Sequence, residues 1–208
     1  MAIIVHHLEN SRSQRILWML EELGLAYEVK RYARDPKTML APPELKQVHP
    51  LGKSPLLEHD GRIVAETATI IEYLIALSGG PLGPPEDADG ALRWRYFLDY
   101  AEGSLMPPLL LSLVIAKMGP FGWPARGFVS KMAMTHIDYV ETELGRHPWF
   151  AGAAFSAADI MMSFPLEAAR QRLKLDGRRP AIVDWLGRIH ARPAYQAALE
   201  KGGPYAYA

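Results

Sequence analysis

Leu51-Gly52-Lys53-Ser54-Pro55-Leu56-Leu57-Glu58-His59-Asp60-Gly61-Arg62-Ile63-Val64-Ala65-Glu66-Thr67 is the stretch that decides how this chain folds. Residues 55–58 and 63–65 are short apolar runs. The Asp60-Gly61 pair between them is a hairpin signal, because the two-residue turns that match strand twist need positive φ at their centres. Pro55 is tolerated at the start of a strand, where no ladder donor is lost. Directly after the second run, Glu66-Thr67 opens residues 69–77, whose Ile70, Ile71, Leu74 and Leu77 share one helical face. The stretch reads strand, strand, helix.

Towards the N-terminus, residues 2–5 are apolar and β-branched and read as a buried strand. A break follows at Glu9-Asn10-Ser11. Ile16, Leu17, Met19, Leu20 and Leu23 then recur at helical spacing, with Gly24 where a helix C-cap belongs. Residues 26–32 read as a second strand, which completes a βαβ unit. Residues 33–52 carry Pro36, Pro42, Pro43 and Pro50 and are irregular, apart from a short helix near 43–48. The order βαβ followed by ββα is that of a thioredoxin-like domain, a mixed sheet with helices on both faces.

Towards the C-terminus, Ser78-Gly79-Gly80-Pro81-Leu82-Gly83-Pro84-Pro85 is the densest Gly/Pro stretch and reads as a linker. Beyond it the spacing predicts helices over 91–116, 125–144, 157–172, 180–191 and 193–200, with no strand. The expected organisation is α/β plus all-α: a domain over 1–78, a linker over 79–88 and a helical bundle over 89–208.

Composition narrows the function classes. The chain has 208 residues, 49% of them hydrophobic, with 23 basic and 23 acidic side chains. That is enough apolar material for one or two cores. The neutral balance gives no footprint for nucleic acid or an anionic membrane. The longest apolar candidate, residues 109–116, is interrupted by Ser112 and preceded by Pro107 and Pro108, so no bilayer span is expected. The opening Met1-Ala2-Ile3-Ile4-Val5 lacks the pattern of a secretory leader, and a cytoplasmic location is expected. The sequence contains no cysteine. Disulfides, thiolate metal sites and a cysteine nucleophile are thereby excluded, and any sulfur chemistry must use a ligand's sulfur. Seven histidines show no HExxH spacing, and His6 and His7, adjacent in a strand, point to opposite faces. No metal site is expected.

Four motifs stand out. Asn10-Ser11-Arg12-Ser13-Gln14-Arg15 lies where the first helix begins, at its free N–H groups and positive dipole end. A hydroxyl there can donate to an anion. Lowering a thiol pKa by about two units takes roughly 2.7 kcal/mol. One charge-assisted hydrogen bond (about 1.5–3 kcal/mol) with the helix dipole (about 0.3–1 kcal/mol) is of that size. Ser11 or Ser13 could equally be a plain N-cap. In Lys53-Ser54-Pro55, a cis Ser54–Pro55 bond would turn the Ser54 backbone outward for pairing with an extended peptide, beside the Lys53 cation. A plain turn is the alternative. Glu66-Thr67 can take an amino group on its carboxylate and a carboxylate at the helix N-terminus, which suits the zwitterionic end of an amino acid. Thr67 alone could be an N-cap. Finally, Ser156 and Asp159 form a capping box with Phe155 and Ile160 at staple positions, and this one reads as structural.

Taken together, in this order and spacing, the four motifs resemble the cytosolic glutathione transferases over nearly the whole chain. The run from Ser11 to Gly24 and the tail from Arg192 to Tyr205 are most similar to serine-type or atypical bacterial and fungal members. The resemblance implies glutathione as co-substrate, no metal, a homodimer and a role in detoxification. It gives Ser11 the activation of the glutathione thiolate, with Ser13 or Asn10 as alternatives. Lys53 would hold the glycine carboxylate, Ser54 and Pro55 would present backbone to the cysteinyl unit, and Glu66 and Thr67 would clasp the γ-glutamyl end. His49 stands where many members carry Asn, which leaves it without a role. His6 and His7 replace the tyrosine of tyrosine-type members.

The second substrate is expected to be a hydrophobic electrophile or organic hydroperoxide in an apolar cleft, with Tyr100, Met118 and Trp123 as candidate contacts. A non-catalytic binding or partner module is the competing reading, against which the full Lys53 and Glu66-Thr67 set counts. A glutathione-dependent isomerase would need a polar pocket that no surplus of Arg supports.

Overall fold

The computed structural model describes residues 2–173, 175 and 177–207; Met1, Lys174, Asp176 and Ala208 lie outside them. Its backbone forms two compact units, Met1–Gly83 with His190–Ala208, and Pro84–Ile189. The first is built on a four-stranded sheet in the order β2-β1-β3-β4. Strand β1 (Ile3–Leu8) pairs in parallel with β2 (Tyr27–Tyr32), and helix α1 (Gln14–Glu22) connects them. Strand β3 (Leu56–His59) runs antiparallel to β1, and β4 (Arg62–Ala65) antiparallel to β3. This is the thioredoxin-like order expected from the sequence. β1 extends past Val5, so His6 and His7 are both strand residues, and both are buried.

Local chemistry accounts for the joints. Asp60 (φ 53°) and Gly61 (φ 73°) both take the left-handed conformation that a tight hairpin turn requires. At the end of α1, Gly24 has φ 63°, with Gly24 N–H donating to Glu21 C=O and Leu25 N–H to Leu20 C=O. These two bonds are the Schellman pattern, which satisfies carbonyls the helix leaves open. The irregular stretch holds only the short helix α2 (Leu45–Val48). Helix α3 (Thr67–Leu77) packs on α1 and buries Ile70, Ile71 and Leu74.

The last helix, α9 (Pro193–Gly202), belongs to this unit and not to the helical one in which 89–208 was expected. Three features hold it on α1. The Tyr195 ring meets Trp18 edge-on at 5.1 Å between centroids, a contact worth about 0.5–1.5 kcal/mol beyond its buried area. Arg192 reaches both Glu22 carboxylate oxygens, at 2.5 and 2.8 Å, and Lys201 reaches Glu21. Gly202 permits the approach: a Cβ there would lie 2.6 Å from Gln14 Oε1 and 3.0 Å from Leu17 Cδ1.

The second unit is helical throughout its named elements. Helix α4 (Ala88–Tyr100) and helix α5 (Met106–Lys117) were expected as one helix over 91–116; a π-helical turn over Ala101–Leu105 separates them. Pro107 and Pro108 follow directly. Neither can donate to the preceding turn, and their rings clash with the carbonyls four residues back. A wider turn relieves both problems. The run from Ala88 to Lys117 is nevertheless continuous, and by length and apolar composition it could cross a bilayer, which the sequence reading did not expect. Its Phe97, Leu98, Ala101, Leu105 and Leu109 are buried, and α4 and α5 pack against α7 (Ala157–Arg172), as in a core helix. A 3₁₀ turn over Gly119–Gly122 leads into α6 (Trp123–Arg146), and α8 (Pro180–His190) follows α7.

Asp159 organises this unit. Its carboxylate accepts from the Ser156 amide at 3.0 Å, closing the capping box, and from the Phe150 amide at 3.1 Å and Trp185 Nε1 at 3.0 Å. Asp159 is fully buried, and desolvation holds its acid up at about 6 in spite of these donors. Asp159→Ala would leave three buried N–H groups without an acceptor, and the expected loss is about 3–5 kcal/mol in urea unfolding. Because the folded protein holds this proton more tightly than the unfolded chain, stability contributed here falls as pH rises from about 4 to about 6 and is level above. A series of urea midpoints against pH, compared with Asp159→Asn, reads that slope.

Candidate functional site

Two of the three motifs read as chemical meet at the end of β1. The Leu8 amide lies 3.2 Å from Ser13 Oγ and 3.3 Å from Ser54 Oγ, so one N–H is shared between the start of α1 and the turn before β3. Ser54 Oγ also donates to His6 C=O at 2.8 Å. The third motif joins through Arg15, whose Nη2 donates to Thr67 Oγ1 at 3.4 Å. Arg15 is buried, a placement its sequence position on the first turn of an amphipathic helix did not signal.

Neither serine caps α1 in the ordinary way. Ser13 occupies the N-cap position with a helical backbone (φ −65°, ψ −19°) and its side chain makes no capping bond. Its hydroxyl turns back to β1, with Leu8 N and Leu8 O at 3.2 Å, Ser11 Oγ at 2.8 Å and His7 Nδ1 at 2.9 Å. It has no exposed surface. Ser11 Oγ accepts from the Ser13 amide at 3.2 Å and retains a 5% exposure. Asn10 sits at φ 49°, and its side-chain carbonyl accepts from the Ala206 amide at 2.7 Å. The C-terminal tail thus occupies the oxygen of Asn10.

The Ser54–Pro55 bond is cis, one of the two alternatives the sequence left open. Ser54 does more than expected, because its side chain clamps the turn to β1. Lys53 is exposed and makes no ion pair among the described residues. Glu66 is also exposed, and between β4 and α3 it takes a positive φ, 69° with ψ 128°. Such a backbone costs a non-glycine residue about 1–3 kcal/mol and is concentrated at functional positions. Thr67, the first residue of α3, is buried and directs its hydroxyl at Arg15.

Sequence reading missed His7 and Arg34. Burial, then the Arg31 cation, lowers the His7 imidazole to about 4, so it is neutral at ordinary pH. Arg34 fixes the loop before Ser11 by donating from Nε to Glu9 C=O at 3.1 Å and from Nη2 to Asn10 C=O at 3.3 Å. His7 could have been flagged as an inward strand position facing a helix start; Arg34 gave no local signal. A hollow of about 440 Å³ opens beside Arg34 on the 33–44 loop and is lined by none of the motif residues.

In the helical unit, Tyr100 is buried among Tyr96, Phe97 and Tyr139, and its hydroxyl meets His136 Nδ1 at 2.7 Å. Met118 and Trp123, at the two ends of the 3₁₀ turn, are 50% and 66% exposed.

Comparison with known proteins identifies the family. Residues 11–77 match the family "Glutathione S-transferase, N-terminal domain" and residues 129–188 match "Glutathione S-transferase, C-terminal domain". Glutathione S-transferase 1 of Saccharomyces cerevisiae is 38% identical over 96% of this chain and 94% of its own. Glutathione S-transferase 3 of Schizosaccharomyces pombe is 37% identical over 96% and 87%. Among solved structures, a glutathione S-transferase from Actinobacillus pleuropneumoniae superposes with a TM-score of 0.89 at 33% identity, over 99% of this chain and 95% of that one. With two family domains in sequence order and relatives of this identity along its length, the chain belongs to the glutathione S-transferase family.

Proposed function

We propose that this protein binds glutathione in its first unit, stabilises the thiolate with the Ser11 hydroxyl, and promotes its attack on a hydrophobic electrophile or organic hydroperoxide. The observation that supports the reading is the meeting at Leu8 of the helix-start hydroxyl of Ser13 and the cis-proline turn at Ser54, with Thr67 linked to the same helix through Arg15. Family membership supports transferase activity in general.

Each residue has a physical task. Lys53 offers an unpaired cation to the glycine carboxylate. The Ser54 backbone, set by the cis bond, offers peptide hydrogen bonds, while its side chain and Pro55 hold the turn. Glu66 takes the amino group of the γ-glutamyl end, and Thr67, at the N-terminus of α3, takes its carboxylate. Ser11 keeps surface where Ser13 has none, which favours it as the sulfur's donor; the Asn10 oxygen is engaged by the tail. Holding the two reactants together and stabilising the thiolate would supply most of the rate gain. Of the residues expected at the second substrate, Met118 and Trp123 have apolar surface to offer, and Tyr100 contributes through the aromatic cluster that it anchors. We further place the protein in the cytoplasm as a two-fold homodimer, in keeping with a thiol-dependent, cysteine-free chain.

Ser11→Ala is expected to lower kcat/KM with a chlorodinitrobenzene-type acceptor by about 10- to 100-fold, the worth of one charge-assisted hydrogen bond. Calorimetric affinity for S-methylglutathione should stay within about twofold, since that ligand carries no thiolate. A full rate in the variant would transfer the role to Ser13 or Asn10. Lys53→Ala and Glu66→Ala should each weaken glutathione binding by about tenfold or more in the same calorimeter. A wild-type protein that binds no glutathione would make the chain a non-catalytic partner module instead.

A further inference from the structure

From Gly103 to Ile137 the chain carries no acidic side chain, while Lys117, Arg126 and Lys131 are basic. The whole molecule balances 23 basic against 23 acidic side chains, so this excess is local and composition alone conceals it. All three cations are exposed. The same stretch holds the three most exposed aromatic side chains among the described residues: Phe121 at 86%, Phe128 at 70% and Trp123 at 66%. Met118 is half exposed beside them. Apolar surface and positive charge thus meet at one place, the turn from α5 into α6.

The backbone of the turn keeps these side chains outside. The Met118 amide donates to the Val114 and Ile115 carbonyls, each at 3.2 Å, which closes the end of α5. Gly119 takes φ 58° directly after it. Gly122 is buried against α5, where a Cβ would lie 2.3 Å from the Ile115 carbonyl oxygen. Pro120 and Pro124 fix two further φ angles. Backbone contacts therefore hold the turn, and Phe121 and Trp123 flank the buried glycine without being drawn in. Met118, Phe121 and Trp123 lie within a single turn, so their apolar surface forms one patch at its tip. Lys117 precedes the patch and Arg126 follows it. Lys131 stands three residues beyond Phe128, on the same side of α6.

An exposed apolar patch rimmed by charge marks an interaction surface. Its partner must supply apolar depth for Phe121 and Trp123 and negative charge around them. An anionic lipid surface supplies both. Its headgroup layer is negative and the acyl region beneath is apolar. Aromatic side chains settle at that boundary, while Lys and Arg reach the headgroups. We propose that the α5–α6 turn docks this protein on an anionic lipid surface, with Phe121 and Trp123 entering the boundary and Lys117, Arg126 and Lys131 facing the headgroups. The patch has no carboxylate to pair with a partner's cations. Charges of one sign attract without fixing a register, which a protein interface needs and a fluid lipid surface does not. A short apolar turn and three cations bind peripherally and reversibly. The proposal goes beyond the glutathione reading and does not rest on it. Met118 and Trp123 also belong to the apolar surface offered to the second substrate, so Phe121 and the cations carry the test.

The whole protein is sedimented with vesicles of phosphatidylcholine alone, and with vesicles of phosphatidylcholine and phosphatidylserine in equal parts. It should partition onto the mixed vesicles on the order of a hundredfold more strongly than onto the neutral ones. Rising salt, which screens the charges, should release it. Phe121→Ala is expected to weaken partitioning about tenfold. Lys117→Gln, Arg126→Gln and Lys131→Gln together should weaken it on the order of a hundredfold, about fivefold for each charge. All four side chains are exposed, so urea midpoints should match the wild type. Trp123 is the one exposed tryptophan among the described residues. Lipids brominated near the headgroup should therefore quench the fluorescence of the wild type and spare that of Trp123→Phe. Wild type that ignores anionic vesicles at low salt overturns the proposal. So does binding that Phe121→Ala and the triple variant both retain, or binding without quenching, since either moves the lipid contact to another surface. If Phe121→Ala instead dissociates a dimer that has no affinity for vesicles, the turn is an interface between copies and the proposal fails.

Discussion

The Leu8 amide is the point on which the site turns. Leu8 is the last residue of β1 and lies past the β1–β3 ladder, which ends at His6 opposite Leu56. Ser13 and Ser54 both supply an oxygen to it. That shared donor draws the start of α1 and the turn before β3 to the same end of the sheet. A buried N–H left unpaired costs about as much as a lost hydrogen bond, so both segments are held there by the same need. Arg15 then extends the junction to α3 through Thr67.

Around this junction, apart from the buried Arg15, the site is built from neutral donors and a few exposed charges. Ser11, Ser13 and His7 carry no formal charge at ordinary pH, while Lys53 and Glu66 lie at the surface. The division has a physical logic. Charges that recognise the ends of a zwitterionic tripeptide remain hydrated until it arrives, whereas a buried charge beside the sulfur would carry a desolvation cost in the resting protein. A buried hydroxyl can stabilise an anion without that cost. The strained backbone at Glu66 fits the same scheme, since it places a carboxylate where α3 begins.

The α9 helix gives the first unit a second function for its own sequence. Tyr195, Arg192 and Lys201 fasten it to α1, Gly202 then lies close to His7, and the tail brings Ala206 to Asn10. Residues almost two hundred positions apart therefore meet around one loop. Nothing in the spacing of 193–200 announces this. An amphipathic helix shows that it buries a face, and not against which neighbour.

Much of the fold was legible in the chain itself. The hairpin at Asp60-Gly61, the stop at Gly24 and the Ser156-Asp159 box are local devices whose chemistry lies within a few residues, so sequence alone determined them. The cysteine-free composition likewise restricted any thiol chemistry to a ligand's sulfur. The π turn before Pro107-Pro108 was less legible, because two prolines can end a helix or merely widen it, and packing selects between these. Tertiary structure alone decided the rest: that Ser13 turns inward to His7, that Ser54 clamps β1 by its side chain, that Arg15 meets Thr67, and that α9 leaves the helical unit. Each is a contact between residues remote in sequence, and a hydroxyl or guanidinium shows its partner only when folding brings the partner within hydrogen-bond reach.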